Sequence, residues 1–105
     1  MSQYFSYYYR QVIHDAEVKT ASIDLLGSKT FHGQIVVDGA GSAGSAVWQH
    51  SNIDEDPFFK DTGSAKALNS TGNQDDAIDN VMRYVRLHIS SAAGNPTVSI
   101  AAIVR

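Results

Sequence analysis

The chain has 105 residues, of which 43% are hydrophobic and 18% are charged, so it can bury the core of one domain and is not expected to be disordered. It contains no cysteine, which excludes a disulfide scaffold, a cysteine-ligated metal site and thiol catalysis. Its net charge of −3 argues against a general nucleic-acid-binding protein, and no apolar run approaches the ~20 residues of a membrane span.

Six segments have the pattern of β-strands. In chain order they are residues 4–13, 21–26, 29–38, 43–51, 81–91 and 97–104. The alternation is clearest in the third segment, where Phe31, Ile35 and Val37 share one face and polar side chains take the other. The fifth segment alternates likewise, except that Arg83 falls on its apolar face and is expected where the strand leaves the core. The last segment is rich in β-branched residues, which favour strands.

Glycine-rich and polar segments separate these strands. Residues 39–44 and 52–63 are predicted to be loops, and a turn at 93–96 is predicted to join the last two strands as a hairpin. One short helix of about two turns is predicted over residues 75–81, with an irregular crossing of the chain as the alternative. Six to eight short strands with such loops predict an all-β fold, a single antiparallel β-sandwich that is jelly-roll-like, with long acidic loops and at most one short helix. Residues 1–105 are assigned to one domain.

The apolar faces of these strands define a predicted core. Trp48 fits two roles: a core residue of a central strand, which is the commoner one, or a platform on which a sugar ring stacks. The predicted core residues are Ile23, Leu25, Phe31, Ile35, Val37, Val47, Val85, Leu87, Ile89, Val98 and Ile100.

Aromatic residues crowd the N-terminal segment. In a strand, Phe5, Tyr7 and Tyr9 would share one face, and Tyr4 and Tyr8 would share the other. A small sandwich buries one face of each strand, so aromatic side chains would stay exposed, and exposed aromatics mark contact surfaces. Residues 1–13 are therefore predicted to be an aromatic docking strand or arm. The alternative is an inner strand whose tyrosine hydroxyls reach water.

Charge is distributed unevenly along the chain. Residues 54–79 contain seven acids and two lysines, whereas residues 80–105 contain three arginines and no acid. Such surfaces could meet head to tail between neighbouring copies. Arg83 and Arg86 are predicted to bind a partner together with the N-terminal aromatics. Ion pairing with the acidic loops or with a neighbouring subunit is favoured over a nucleic-acid patch, because two arginines on opposite strand faces do not form one.

Catalytic and metal-binding patterns are missing from the sequence. The acids of residues 54–56 and 75–79 could together hold calcium, but two solvated loops are the simpler interpretation. The four histidines are scattered, and no nucleophile–base spacing or nucleophile elbow is found. We therefore predict no catalytic residue, no metal ligand, no cofactor and no enzymatic activity.

Four stretches of the last two thirds of the chain carry a resemblance. They are residues 44–51 around Trp48, the acidic loop 54–59 ending in Phe58 and Phe59, the strand Arg83-Tyr84-Val85-Arg86-Leu87-His88-Ile89, and Gly94 followed by Val98 and Ile100. Their order resembles small β-sandwich virion proteins of tailed bacteriophages, over about residues 39–105. In those proteins a strand leads into an Asp-rich loop closed by an aromatic, and an Arg-Tyr-Val-Arg strand pairs with a C-terminal hairpin.

The resemblance implies a non-enzymatic structural protein of the virion. Its most specific form is a capsid decoration (cement) protein that stabilises the head, with the major capsid protein or other virion proteins as partners. Such proteins are often trimers, so a homo-oligomer, a trimer, is expected for this chain, made in the host cytoplasm and located in the virion, with no nucleic acid or membrane partner. The alternatives are a tail or baseplate module, or a carbohydrate-binding β-sandwich in which Trp48, Phe58 and Phe59 stack on sugar rings.

Overall fold

Nine β-strands contain most of the residues that the structure, a computed structural model, describes. The description covers the backbone of residues 5–104 and the side chains of residues 7–103. A single 3₁₀ turn, Asp56–Phe58, lies between the fifth and sixth strands. The strands are β1 (Phe5–Val12), β2 (Val18–Lys19), β3 (Ile23–Asp24), β4 (Thr30–Gly39), β5 (Ala43–Ser51), β6 (Lys60–Ala67), β7 (Gly72–Asp79), β8 (Tyr84–Ala93) and β9 (Thr97–Val104).

The strands form two antiparallel sheets. Sheet A has the order β1-β9-β4-β7, and sheet B has the order β2-β8-β5-β6 with β3 also pairing with β8. The chain crosses between the sheets at every connection except β2–β3 and β5–β6, and this strand order is that of a jelly roll. The predicted all-β sandwich is confirmed. No helix in the part of the chain that is described is long and apolar enough to cross a membrane.

Two strands appear where the sequence predicted other structure. β6 occupies the second part of the predicted loop 52–63 and continues beyond it, and β7 replaces the predicted helix 75–81. Both strands lie at the edges of their sheets, and each buries one side chain, Lys66 in β6 and Ile78 in β7. A strand with one buried residue shows no apolar alternation, so the usual sequence signal for it is lost.

The predicted hairpin between the last two strands is also wrong. The turn at residues 93–96 is present, but β8 belongs to sheet B and β9 to sheet A. β8 pairs with β2, β3 and β5, whereas β9 pairs with β1 and β4. The turn therefore carries the chain from one sheet to the other, and the two apolar faces meet across the core.

The core lies between the inner faces of the two sheets. Every predicted core residue is buried except Val47, which is half-buried on the outer face of sheet B. The neighbouring Trp48 takes the inner position, with no exposed surface, and packs edge-to-face on Phe31 with ring centroids 4.9 Å apart. Val47 was thus predicted on the wrong face of β5, whereas the core position favoured for Trp48 is confirmed. Further buried apolar residues are Ile13, Ala46, Leu68, Ile78, Val81 and Ala102.

Candidate functional site

Strand β1 places its tyrosines on two different faces. Tyr7 and Tyr9 are half-buried and pack against the core, whereas Tyr8 is 68% exposed on the outer face of sheet A. This is the alternation that the sequence predicts. The backbone of Phe5 pairs with Val104, but the side chain of Phe5 and all of Tyr4 lie outside the described residues. Tyr8 is thus the exposed aromatic that the structure places on this strand.

A groove of about 470 Å³ runs across the outer face of sheet A beside Tyr8. Ala101 stands opposite Tyr8, and Gln34 and then Asp75 follow in the same row across β4 and β7. Ile103, His32 and Ala77 line the groove in the adjoining row. The groove exists because the two alanines in the middle and at the far edge are too small to fill the space next to the tyrosine ring. We call it the sheet A groove.

The far rim of the sheet A groove is acidic. Asp75 lines the groove on the outer face of β7, and Asp79 lies beyond the groove on the same face; neither has a salt-bridge partner among the residues that the structure describes. Arg10 of β1 lies on the same face, and its guanidinium donates to Asp38 and also to Ser99 Oγ at 3.3 Å. The hydrogen bond that Arg10 donates to Asp38 raises the pKa of Arg10. The groove therefore combines a mostly apolar lining, interrupted by His32 and Gln34, with uncompensated negative charge.

The β1 side of the groove is an open sheet edge. Within the described strands β1 pairs with β9 alone, so one row of its backbone N–H and C=O groups has no strand beside it. Such an edge can accept a further strand or segment. Tyr8, the edge of β1 and the sheet A groove are continuous, and together they form the surface best suited to docking.

Arg86, which the sequence predicts to bind a partner, is mostly buried and is bound by residues of its own chain. Its side chain is 9% exposed on the outer face of sheet B, where Nε donates to Gln49 Oε1 at 2.9 Å and Nη2 donates to Asp56 Oδ1 at 2.7 Å. The guanidinium also lies 4.0 Å from the ring centroid of Phe59. Lys19 and Arg86 both hydrogen-bond to Asp56 and lower its pKa. The ion pairing with an acidic loop that the sequence favoured is what the structure shows for this arginine.

Arg83 is more exposed but is also paired. It precedes β8, and its guanidinium binds both carboxylate oxygens of Asp24 at 3.1 Å. These bonds lower the pKa of Asp24. Arg83 and Arg86 thus both have their charge compensated by carboxylates of the same chain. A head-to-tail contact between neighbouring copies, which the uneven charge of the sequence suggested, cannot depend on these two arginines.

The acidic segments and the histidines do not converge. Among the described residues no group of three or more His, Asp or Glu side chains is placed to hold a metal ion. Asp54 accepts a hydrogen bond from Ser22 Oγ at 2.6 Å, and Gln49 donates to Asp61 at 3.0 Å. His50 is buried and its Nδ1 accepts the Met82 backbone N–H at 3.2 Å. These groups serve local contacts.

The three aromatics proposed to stack on sugar rings do not form a platform. Trp48 is fully buried, and Phe59 lies under the Arg86 guanidinium. Phe58 is exposed, at 53%, in the 3₁₀ turn. The carbohydrate-binding interpretation therefore loses the tryptophan on which it chiefly depended.

The sequence did not reveal the sheet A groove. Ala101 and Ile103 were recognised as part of a strand, and Ala77 was placed in a helix. The groove depends on two small residues, Ala101 and Ala77, that lie on the same face of sheet A as Tyr8. This relation cannot be seen in the sequence until the order of strands in the sheet is known.

Comparison with known proteins gives structural but not sequence relatives. No protein-family model and no curated protein matches the sequence. One similar solved structure is that of the SPBc2 prophage-derived protein YomS, with a TM-score of 0.59 and 12% identity, covering 98% of this chain and 96% of that one. Another is that of Bacillus endospore appendages, a family of disulfide-linked pili, with a TM-score of 0.59 and 9% identity over 97% and 86% of the two chains. At these identities the likeness shows a shared fold.

Proposed function

We propose that this chain is a non-enzymatic structural protein of a bacteriophage virion, that it joins its partners through Tyr8 and the sheet A groove, and that its specific role is capsid decoration. The observation that carries the proposal is an exposed tyrosine beside an apolar groove on an open-edged sheet. Aromatic anchors next to small apolar pockets dominate the energy of protein interfaces. Exposed ion pairs contribute only ~0–1 kcal/mol each.

The structural neighbours support the same class of function. One of them is prophage-derived, and the other forms pili, so this fold occurs both in a phage-related protein and in an assembled fibre. The sequence resemblance to virion sandwiches points in the same direction. Decoration is favoured over a tail or baseplate module because the described strands pack as two sheets on one core, which suits a small unit seated on a shell.

Particle composition tests this proposal. Phage particles from the strain that encodes the chain would be separated into heads and tails, and the chain would be quantified in each by mass spectrometry. We expect it in heads, in a fixed ratio to the major capsid protein. Tyr8→Ser should lose at least about tenfold in particle binding, because an aromatic anchor is worth more than ~1.4 kcal/mol.

The matched control is Phe58→Ser. It removes a similarly exposed aromatic from the loop between β5 and β6 of sheet B and should leave particle binding unchanged. Presence in tails only would replace decoration by the tail-module function. Absence from both fractions would refute the virion role.

A further inference from the structure

An exposed leucine occupies a backbone position that does not suit it. Ser28 N–H donates to the Leu25 carbonyl at 3.0 Å, closing a turn in which Leu26 has φ of 53° and Gly27 has φ of 85°. Two successive positive φ values define a type I′ turn, whose first central position favours Asn, Asp or Gly. Leu26 is nevertheless 59% exposed, so burial does not compensate for the strained backbone.

The other positive-φ residues of the described chain emphasise the contrast. Apart from glycines they are Asn80, Ser91 and Asn95, all small and polar. Leu26 is the one large apolar residue in the group. Neither turn geometry nor core packing accounts for a leucine here, and strained residues of this kind are typical of contact sites.

The surroundings of Leu26 show what it could contact. Lys29 and Arg83 line the same surface recess as Leu26 at this end of the sandwich. Arg83 is neutralised by Asp24, whereas Lys29 has no salt-bridge partner among the described residues. The turn and its flank, residues 25–29, thus present an apolar side chain with one uncompensated cation. We call this segment the tip.

We infer that the occupant of the sheet A groove is a second copy of this chain, which inserts Leu26 of its tip beside Tyr8 and brings Lys29 to Asp75. The inference rests on the proposed function and names the partner of the same groove: the copies join one another through it, and the assembled copies are the form that binds the particle. Two observations carry it. The tip offers an exposed apolar side chain, and the groove is lined by Ala101, Ala77 and Ile103, with His32 and Gln34 of β4 between them. The tip also carries an uncompensated cation, and the rim of the groove carries uncompensated carboxylates.

This contact joins two different surfaces, so it is head to tail. Contacts of that kind generate closed rings when the rotation between copies allows closure, and filaments when it does not. A ring of three copies is the closed form that agrees with the trimer predicted from sequence. The open form would be a fibre built of the same contact.

Self-association of the full chain tests the inference. In sedimentation velocity at rising concentration, the natural protein should form oligomers larger than dimers. Leu26→Asn should weaken association by about tenfold or more. Its melting temperature should be equal or higher, because Asn suits the turn, and this result separates a lost contact from a lost fold. Ala77→Arg, which fills the groove with a cation from an edge strand, should weaken association equally.

Mixing the two variants identifies the geometry. The Leu26→Asn copy keeps its groove and the Ala77→Arg copy keeps its tip, so an equimolar mixture should form dimers of one copy each and nothing larger. Phe58→Ser, outside both surfaces, should associate like the natural protein. A monomeric natural protein, normal association of Leu26→Asn, or a mixture that stays monomeric would each overturn the inference. Particle binding is measured separately, so the virion role could survive that result.

Discussion

Gly33 of β4 lies directly against the indole ring of Trp48 from the opposite sheet. A Cβ atom added to Gly33 would lie 2.8 Å from two atoms of that ring and 2.7 Å from the ring of Phe31. The neighbours of Gly33 across sheet A include the small residue Ala102, so the middle of the sheet leaves room for the largest side chain of the core. The same two small residues also line the sheet A groove from below. One packing arrangement therefore shapes both the core and the docking surface.

The first prediction concerns this contact. Gly33→Ala should lower the free energy of unfolding by about 1–3 kcal/mol, because close-packed rings must move to admit a methyl group. Combined with Trp48→Phe, it should cost less than the sum of the two single changes, since the smaller ring vacates the space. Urea unfolding of the four proteins measures this. Additive costs would contradict the contact, and Ala101→Ser on the outer face provides a neutral comparison.

The second prediction compares two arginines that each bind a carboxylate. Arg86→Gln should cost about 1–3 kcal/mol, because it removes hydrogen bonds from a buried guanidinium and uncovers Phe59. Arg83→Gln should cost less than about 1 kcal/mol, since its pair with Asp24 is largely exposed. Chemical denaturation of both variants in low and high salt measures the two losses in free energy of unfolding. Equal costs would show that burial does not separate their roles.

The third prediction is a loss of stability in mild acid. Burial, and secondarily Lys60, lower the pKa of His50 from its ordinary value of 6.5. Below about pH 6.5 the unfolded chain therefore binds a proton at His50 more readily than the folded chain does. The free energy of unfolding decreases as the pH is lowered, until the pH reaches the pKa of His50 in the folded chain. The lowered pKa values of Asp24 and Asp56 act in the same direction, but only below about pH 4.

Melting curves between pH 5 and pH 8 would measure the contribution of His50. His50→Gln retains an acceptor for the Met82 N–H and should flatten the dependence above about pH 5. An unchanged slope in that variant would assign the effect to another group.

The fourth prediction contrasts two leucines. Leu87 has no exposed surface, and Leu87→Ala should cost about 2–5 kcal/mol. Leu26→Ala should change the free energy of unfolding by less than about 0.5 kcal/mol, because Leu26 is exposed. Thermal and urea unfolding would measure both. A cost below about 1 kcal/mol for Leu87→Ala would contradict the phase of β8.

The fifth prediction concerns metal removal. The described acids form no group of three placed to hold a metal ion, and two acids of the acidic loop have partners of their own, Asp54 with Ser22 and Asp56 with Lys19 and Arg86. EDTA should therefore leave the melting temperature unchanged. A decrease of more than about 5 °C, reversed by calcium, would assign a cation site to the acidic loops.

The sequence by itself determined the strands that bury one whole face. In β4, β8 and β9 apolar residues such as Phe31, Leu87 and Ile100 recur at every second position, and a strand needs no further information to be recognised when one face is apolar. The same rule placed Tyr8 opposite to Tyr7 and Tyr9. The sequence has many short strand patterns and no long amphipathic helix pattern. These two observations were enough to predict an all-β sandwich.

The tertiary structure alone decided which strands are neighbours and what lies between them. The sequence did not predict β6 and β7, because each buries a single side chain at a sheet edge. The turn at residues 93–96 connects the two sheets because β8 and β9 pair with strands that are distant in sequence. The sheet A groove depends on Tyr8, Ala101 and Ala77, which come together across three strands. Local alternation fixes the face on which a side chain lies, but only long-range pairing fixes what stands beside it.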